Sequence, residues 1–97
     1  MRVMATISIP VEAGTRAISD GSLPKVIQQT TDRWSPEAMY FTTSGGRRTA
    51  FVVFDMPDSS AMPVFGEPFF THLNAEIQIS PVMNPDDLQK GLTELGS

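Results

Sequence analysis

Ninety-seven residues, 40% hydrophobic and 19% charged, suffice for one domain with a single core and little spare stability, and they exclude a disordered chain. A net charge of −4 and a pI of about 4.7, with no basic stripe, exclude the phosphate-neutralising face of a nucleic-acid binder. The absence of cysteine excludes disulfides, thiolate metal sites and a cysteine nucleophile, and no apolar run approaches the ~20 residues that span a bilayer.

The chain opens with a strand. Val3, Ala5, Ile7 and Ile9 alternate with Arg2, Met4, Thr6 and Ser8, which predicts one strongly apolar face. This start has no apolar core segment or cleavage site of a secretory signal, so a cytoplasmic protein is expected. Pro10 ends the strand. Glu12 to Ser19 can form about two helical turns, with Asp20-Gly21 as terminator because glycine tolerates the left-handed end conformation. A second helix follows at once, with Ser22 as the predicted N-cap, Pro24 in the first turn, and Leu23, Val26, Ile27, Thr30 and Trp34 at helical spacing. Ser35-Pro36 closes it, since a residue before proline avoids the helical region.

Glu37 to Met56 reads as a hairpin turning at Ser44-Gly45-Gly46-Arg47, where glycines supply positive φ. Its second strand, Thr49 to Met56, carries Ala50, Phe51, Val52, Val53 and Phe54 in succession, so both of its faces should be covered. The chain's own helices can cover one face; a second subunit is the natural cover for the other. Arg47 and Arg48, the only adjacent basic pair, fall at the hairpin tip and read as a solvated turn. The same turn lacks the helix and Lys-Ser or Lys-Thr pair of a phosphate loop. Roughly Ser59 to Thr71 is helical but holds Pro63, Gly66 and Pro68, which predict a broken element. Leu73, Ala75, Ile77 and Ile79 then alternate with Asn74, Glu76, Gln78 and Ser80 as a fourth strand. Asn84 caps a last helix, residues 85–95, with Pro85, Asp86 and Asp87 in its first turn and Leu88, Leu92 and Leu95 as a narrow apolar stripe. The order β-α-β-β-α-β plus a tail helix is the ferredoxin-like plan, an α+β antiparallel sheet with helices on one face.

Asp20-Gly21-Ser22-Leu23-Pro24, Tyr40-Phe41-Thr42 with Gly46-Arg47-Arg48-Thr49-Ala50-Phe51, and Pro81-Val82-Met83-Asn84 together resemble a group of small bacterial proteins of unknown function. Those proteins look like members of the dimeric α+β barrel superfamily, which includes muconolactone isomerases and antibiotic-biosynthesis monooxygenases. The resemblance spans most of the chain, and its shared residues are mostly structural. It implies a homodimer whose two sheets pair face to face around a ligand space. It transfers no catalytic residue, and it implies no cofactor.

If Ile7 and Ile77 face the helices, Arg2, Met4, Thr6 and Ser8 look the other way, with Asn74, Glu76, Gln78 and Ser80 beside them. Either the Tyr40 set or the Met39 and Phe41 set of the hairpin joins them, because a one-residue slip reverses a strand. Thr6, Ser8, Tyr40, Glu76 and Gln78 are the expected ligand-binding residues, and Glu76, His72 and Tyr40 the candidates for chemistry. Glu76 between two sheets would lose hydration, a setting that fits a carboxylate for proton transfer; the plainer reading is an exposed edge residue or an ion pair with Arg2. His72, the single histidine, is placed at the start of the fourth strand; with no second ligand at a usable spacing, no metal site is expected. Asp55 reads as a turn former, and Trp34 and Tyr40 as core aromatics or stacking surfaces. Three functions stay open: a binder of a small apolar or aromatic molecule, a cofactor-independent isomerase or monooxygenase acting on a small organic acid or phenol, and a structural or regulatory subunit docking through its tail helix.

Overall fold

Strict alternation shapes the first strand. In the computed structural model, which describes residues 1–96, β1 (Arg2–Ile9) buries Val3, Ala5, Ile7 and Ile9 and leaves the residues between them partly open. Antiparallel partners flank it on both sides: β3 (Arg47–Asp55) with Ile7 opposite Ala50, and β4 (Glu76–Pro81) with Ile7 opposite Ile77. β2 (Ala38–Ser44) pairs with β3 through the tight turn, where Gly45 and Gly46 have φ of 60° and 76°. The sheet order is β2-β3-β1-β4, with the two most apolar strands at its centre. Four strands and four helices make an α+β fold compatible with the ferredoxin-like plan.

One face of this sheet carries α1 (Val11–Asp20), α2 (Ser22–Trp34) and α3 (Ala61–Leu73). The interior between the layers is aromatic. Phe54 of β3 stacks on Phe65 of α3 with ring centroids 4.4 Å apart, Trp34 meets both rings at 5.3 and 5.8 Å, and Phe69 extends the chain at 5.5 Å from Phe65. Trp34 is therefore a core residue. Arg48 also belongs to this side. Its guanidinium reaches over the start of α1 to the Val11 carbonyl at 3.2 Å, and a side chain at Gly14 would collide with it. Arg47, its neighbour, emerges on the other face, because adjacent strand residues point opposite ways. The pair is thus split between faces instead of forming one solvated tip.

Three expectations about local structure are corrected. Ser22 does not cap α2; Gly21 with φ of 82° is the junction residue, and the Asp20 carboxylate accepts the Ser22 N–H at 2.9 Å. The segment expected to be broken is one continuous helix, α3. Pro63 falls in its first turn, where no donor is needed, and Pro68 frees a carbonyl at Val64, a residue 44% exposed to water. The stripe Ala61, Phe65, Phe69 and Leu73, all buried, outweighs the proline cost. Finally, the fourth strand starts later than its alternation predicts. Leu73 and Ala75 are buried but belong to the end of α3 and its exit, where Asn74 takes the left-handed conformation (φ 50°) with its N–H turned back to the Phe69 and Phe70 carbonyls.

α4 (Pro85–Leu95) stands apart. Asn84 caps it as the sequence predicts, in a reciprocal box with Asp87, yet no residue of the helix is buried. The described chain measures 56 × 27 × 18 Å, and its radius of gyration of 15.4 Å exceeds the about 12–13 Å of a compact domain of this length.

The stacked rings make the first test. Phe65→Ala removes a ring that is 1% exposed and should cost about 3–5 kcal/mol of stability, measured by urea denaturation at fixed protein concentration.

Candidate functional site

Strand register decides what shares the uncovered face. Because Thr6 lies opposite both Phe51 and Gln78, and Phe51 lies opposite Tyr40, one row crosses all four strands: Tyr40, Phe51, Thr6, Gln78. Ala38, Val53, Met4 and Ser80 form the row on one side of it, and Thr42, Thr49, Ser8 and Glu76 the row on the other. With strands ~4.8 Å apart and alternate residues ~6.7 Å apart, these rows cover a patch of about 14 by 14 Å. It is the Tyr40 set, not the Met39 and Phe41 set, that joins this face.

The patch is graded. At the end nearest Arg2 it is apolar, with Ala38, Val53 and Met4 all half-buried; its middle is aromatic, with Phe51 half-buried and Tyr40 70% exposed. Its far end is rich in hydroxyls and closes on a charge pair. Thr49 is buried there and donates its hydroxyl to the Arg47 carbonyl. Arg47 and Glu76 approach to 3.9 Å with side chains 42% and 78% exposed. Met4, Phe51 and Val53 have no helix above them. Each large apolar side chain fully withdrawn from water contributes ~1.5–3 kcal/mol, so leaving this patch wet forgoes several such contributions.

Thr6, Ser8, Tyr40, Glu76 and Gln78, the expected ligand-binding set, do share one face. Two further expectations are corrected. The partner of Glu76 is Arg47; Arg2 lies at the other end of β1, about 20 Å away along the strand, because the register sets Glu76 opposite Ser8. Asn74 is off the face altogether, since it caps α3. His72 is not at a strand start. It sits in the last turn of α3, on the helical side of the sheet, in a hollow of about 320 Å³ with Asp20, Gly21, Ser22, Lys25, Val26 and Gln29. The sheet separates it from Glu76 and Tyr40, so the three candidates for chemistry do not converge. Asp55 is exposed at the end of β3. Among the described residues, no three His, Asp or Glu side chains cluster closely enough to hold a metal ion, and no helix is long and apolar enough to cross a membrane.

Arg2 and Asp20 organise contacts beyond the roles that the sequence suggests for them. Arg2 bonds Glu37 through Nε and Asp87 through a terminal nitrogen at 3.1 Å, closing the apolar end of the face with charge and fastening the start of α4. The bond to Glu37 and the nearby carboxylates hold the guanidinium pKa above its ordinary value. Asp20, at the α1–α2 joint, has its pKa lowered mainly by the Ser22 hydroxyl and N–H, with Arg16 and His72 adding to it. Neither was signalled by motif. Both become visible once strand register and helix ends are known.

Compared with known proteins, the sequence matches no protein-family model and no curated protein.

Two outcomes are expected from these contacts. Because the Glu76–Arg47 pair is exposed, Glu76→Gln should change stability by less than about 0.5 kcal/mol in thermal or urea melts, leaving it a clean probe of function. For Asp20, folding lowers the pKa below 3.8, so its stabilising contribution is present above the unfolded value and is lost as pH falls through the folded one. Asp20→Asn should therefore narrow the loss of thermal stability between pH 5 and pH 2, read from melting temperatures across about those values relative to wild type.

Proposed function

We propose that this protein is a homodimer whose two sheets meet through their uncovered faces and hold a small apolar or aromatic molecule between them, without chemistry of its own. One observation carries the reading: the centre of the sheet, at Met4, Phe51 and Val53, is apolar and half-open with three helices on the opposite side. A flat, mixed patch bordered by charge is what a paired interface enclosing a ligand requires. The resemblance to dimeric α+β barrel proteins points the same way, with the ferredoxin-like fold as the subunit.

The gradient of the face describes the guest. A ring or short alkyl body would lie over Phe51, Val53 and Met4, with Tyr40 stacked against it. A hydroxyl, carbonyl or carboxylate would turn toward Ser8, Thr42 and Arg47. Thr6 and Gln78, in the middle row, would orient it by hydrogen bonds. Binding is favoured over catalysis because Tyr40 and Glu76 stand on the two opposite edge strands of the patch and His72 lies beyond the sheet.

Native mass spectrometry of gently purified protein tests this directly. The expected spectrum shows a dimer, with an added small-molecule mass that denaturation removes. A monomer at micromolar concentration would overturn the reading. Phe51→Asp, which puts a charge at the centre of the proposed interface, should weaken dimerisation at least about 30-fold, the effect of losing ~2 kcal/mol, in sedimentation equilibrium.

A further inference from the structure

α4 is held by its own chain only at its first turn. It has 11 residues, none buried, whereas isolated helices shorter than ~12–15 residues are marginal in water. Gly91 in its interior makes this worse by about 1 kcal/mol relative to alanine. Yet its apolar residues are ordered. At 100° per residue, Gly91, Leu95, Leu88 and Leu92 fall on one side within about a third of the circumference, and the leucines are 47–83% exposed. Such a stripe gains its stability from a surface outside the helix.

The described chain offers a matching surface on the helical side of its β4 edge. Met62, Gly66 and Phe70 of α3, with Ile77 and Ile79 of β4 and Glu67 at the rim, line a groove of about 370 Å³. Met62 and Phe70 are each 45% exposed, and the two isoleucines are only half-buried. Met62 to Phe70 spans ~12 Å along α3, and Leu88 to Leu95 spans ~10 Å along α4, so stripe and groove agree in length. Gly91 has nothing within 4 Å of the place its side chain would occupy, which leaves a notch between Leu88 and Leu95 for an exposed ring such as Phe70.

α4 does not reach this groove in its own chain. Its first turn is tied to the end of the sheet by Arg2–Asp87 at 3.1 Å, and the Val82 N–H is bound to the Arg2 carbonyl at 3.2 Å. α4 packs extensively against no other element, and the described chain is elongated, with a 56 Å long axis. We infer that α4 of one copy of this chain seats its Leu88–Leu92–Leu95 stripe in the α3–β4 groove of a second copy. A helix ~16 Å long and ~10 Å wide covers on the order of 250 Å² along one side. Exchanged between two copies and counted on both surfaces, the arms hide on the order of 1,000 Å², the size at which an interface becomes specific. A two-fold pair satisfies both grooves at once and closes the assembly. This inference shares with the sheet-pairing reading only the presence of a second copy.

The lack of cysteine makes the test clean. Glu67→Cys on the groove rim and Gln89→Cys beside the stripe leave the apolar lining and stripe residues in place. Refolded together under mild oxidation, differently tagged E67C and Q89C chains should cross-link at least about ten-fold faster than Q28C with Q89C, because docking raises the effective thiol concentration. Leu88→Ser with Leu92→Ser should return the rate to that control. An E67C/Q89C double variant that closes only an internal disulfide, as a monomer, would overturn the inference in favour of an arm folded on its own chain. A mixture no faster than control would overturn it outright. A Phe51→Asp protein that stays fully dimeric with the cross-link intact would sink sheet pairing and leave arm exchange standing; a sheet-dependent dimer without the cross-link does the reverse.

Discussion

A strand presents two faces, and this chain has helix enough to cover one. Val3, Ala5, Ile7, Val52 and Phe54 are sealed beneath α1, α2 and α3, and the aromatic contact between Phe54 and Phe65 locks the two layers together. Everything on the reverse follows from that allocation. Met4, Phe51 and Val53 sit at the centre of the same sheet, one position out of phase, and inherit the exposure that their neighbours avoid. Half-buried by their strand neighbours, they keep part of their apolar surface in water. The site is therefore an apolar surface that the three helices leave uncovered.

Two charge groups bracket that uncovered face. At the first, Arg2 gathers Glu37 and Asp87, so the strand that starts the sheet also holds the helix that ends the fold. At the second, Arg47 leans toward Glu76 across the start of β1's partner strands. The two charge groups border an interior of aromatics and hydroxyls. Exposed pairs of this kind contribute little to stability. The same economy appears on the helical side, where α4 carries an apolar stripe and α3 with β4 carries an apolar groove.

Asn74 shows how much can turn on one residue. By alternation, Leu73 to Ser80 is a strand, and nothing in that pattern marks a boundary inside it. The left-handed turn at Asn74 moves His72 and Leu73 into α3 and starts the strand at Glu76. That shift carries His72 to the helical side, away from Glu76 and Tyr40, and removes the acid–base constellation that the sequence seemed to assemble. Pro68 teaches the opposite lesson. A residue with a strong local preference against helix interiors is overruled because four buried side chains on the other side of α3 hold the helix in place.

Local sequence determined much of the element plan: the alternating first strand, the glycine turn at Gly45-Gly46, the Asn84 cap and the succession of strands and helices follow from local stereochemistry and local hydrogen bonding. It also determined that Thr6 and Ser8 would face away from Ile7, because a strand's faces alternate without exception. Tertiary structure alone decided the rest. Which hairpin face holds Tyr40 depends on long-range register, and the partner of Glu76 depends on which end of an antiparallel strand lies beside it. Those are properties of pairing between segments distant in the chain, and a shift of one residue would reverse them. No local pattern can encode that choice, because the energy that makes it comes from burying Ala50, Val52 and Phe54 under helices that the strands meet only when folded.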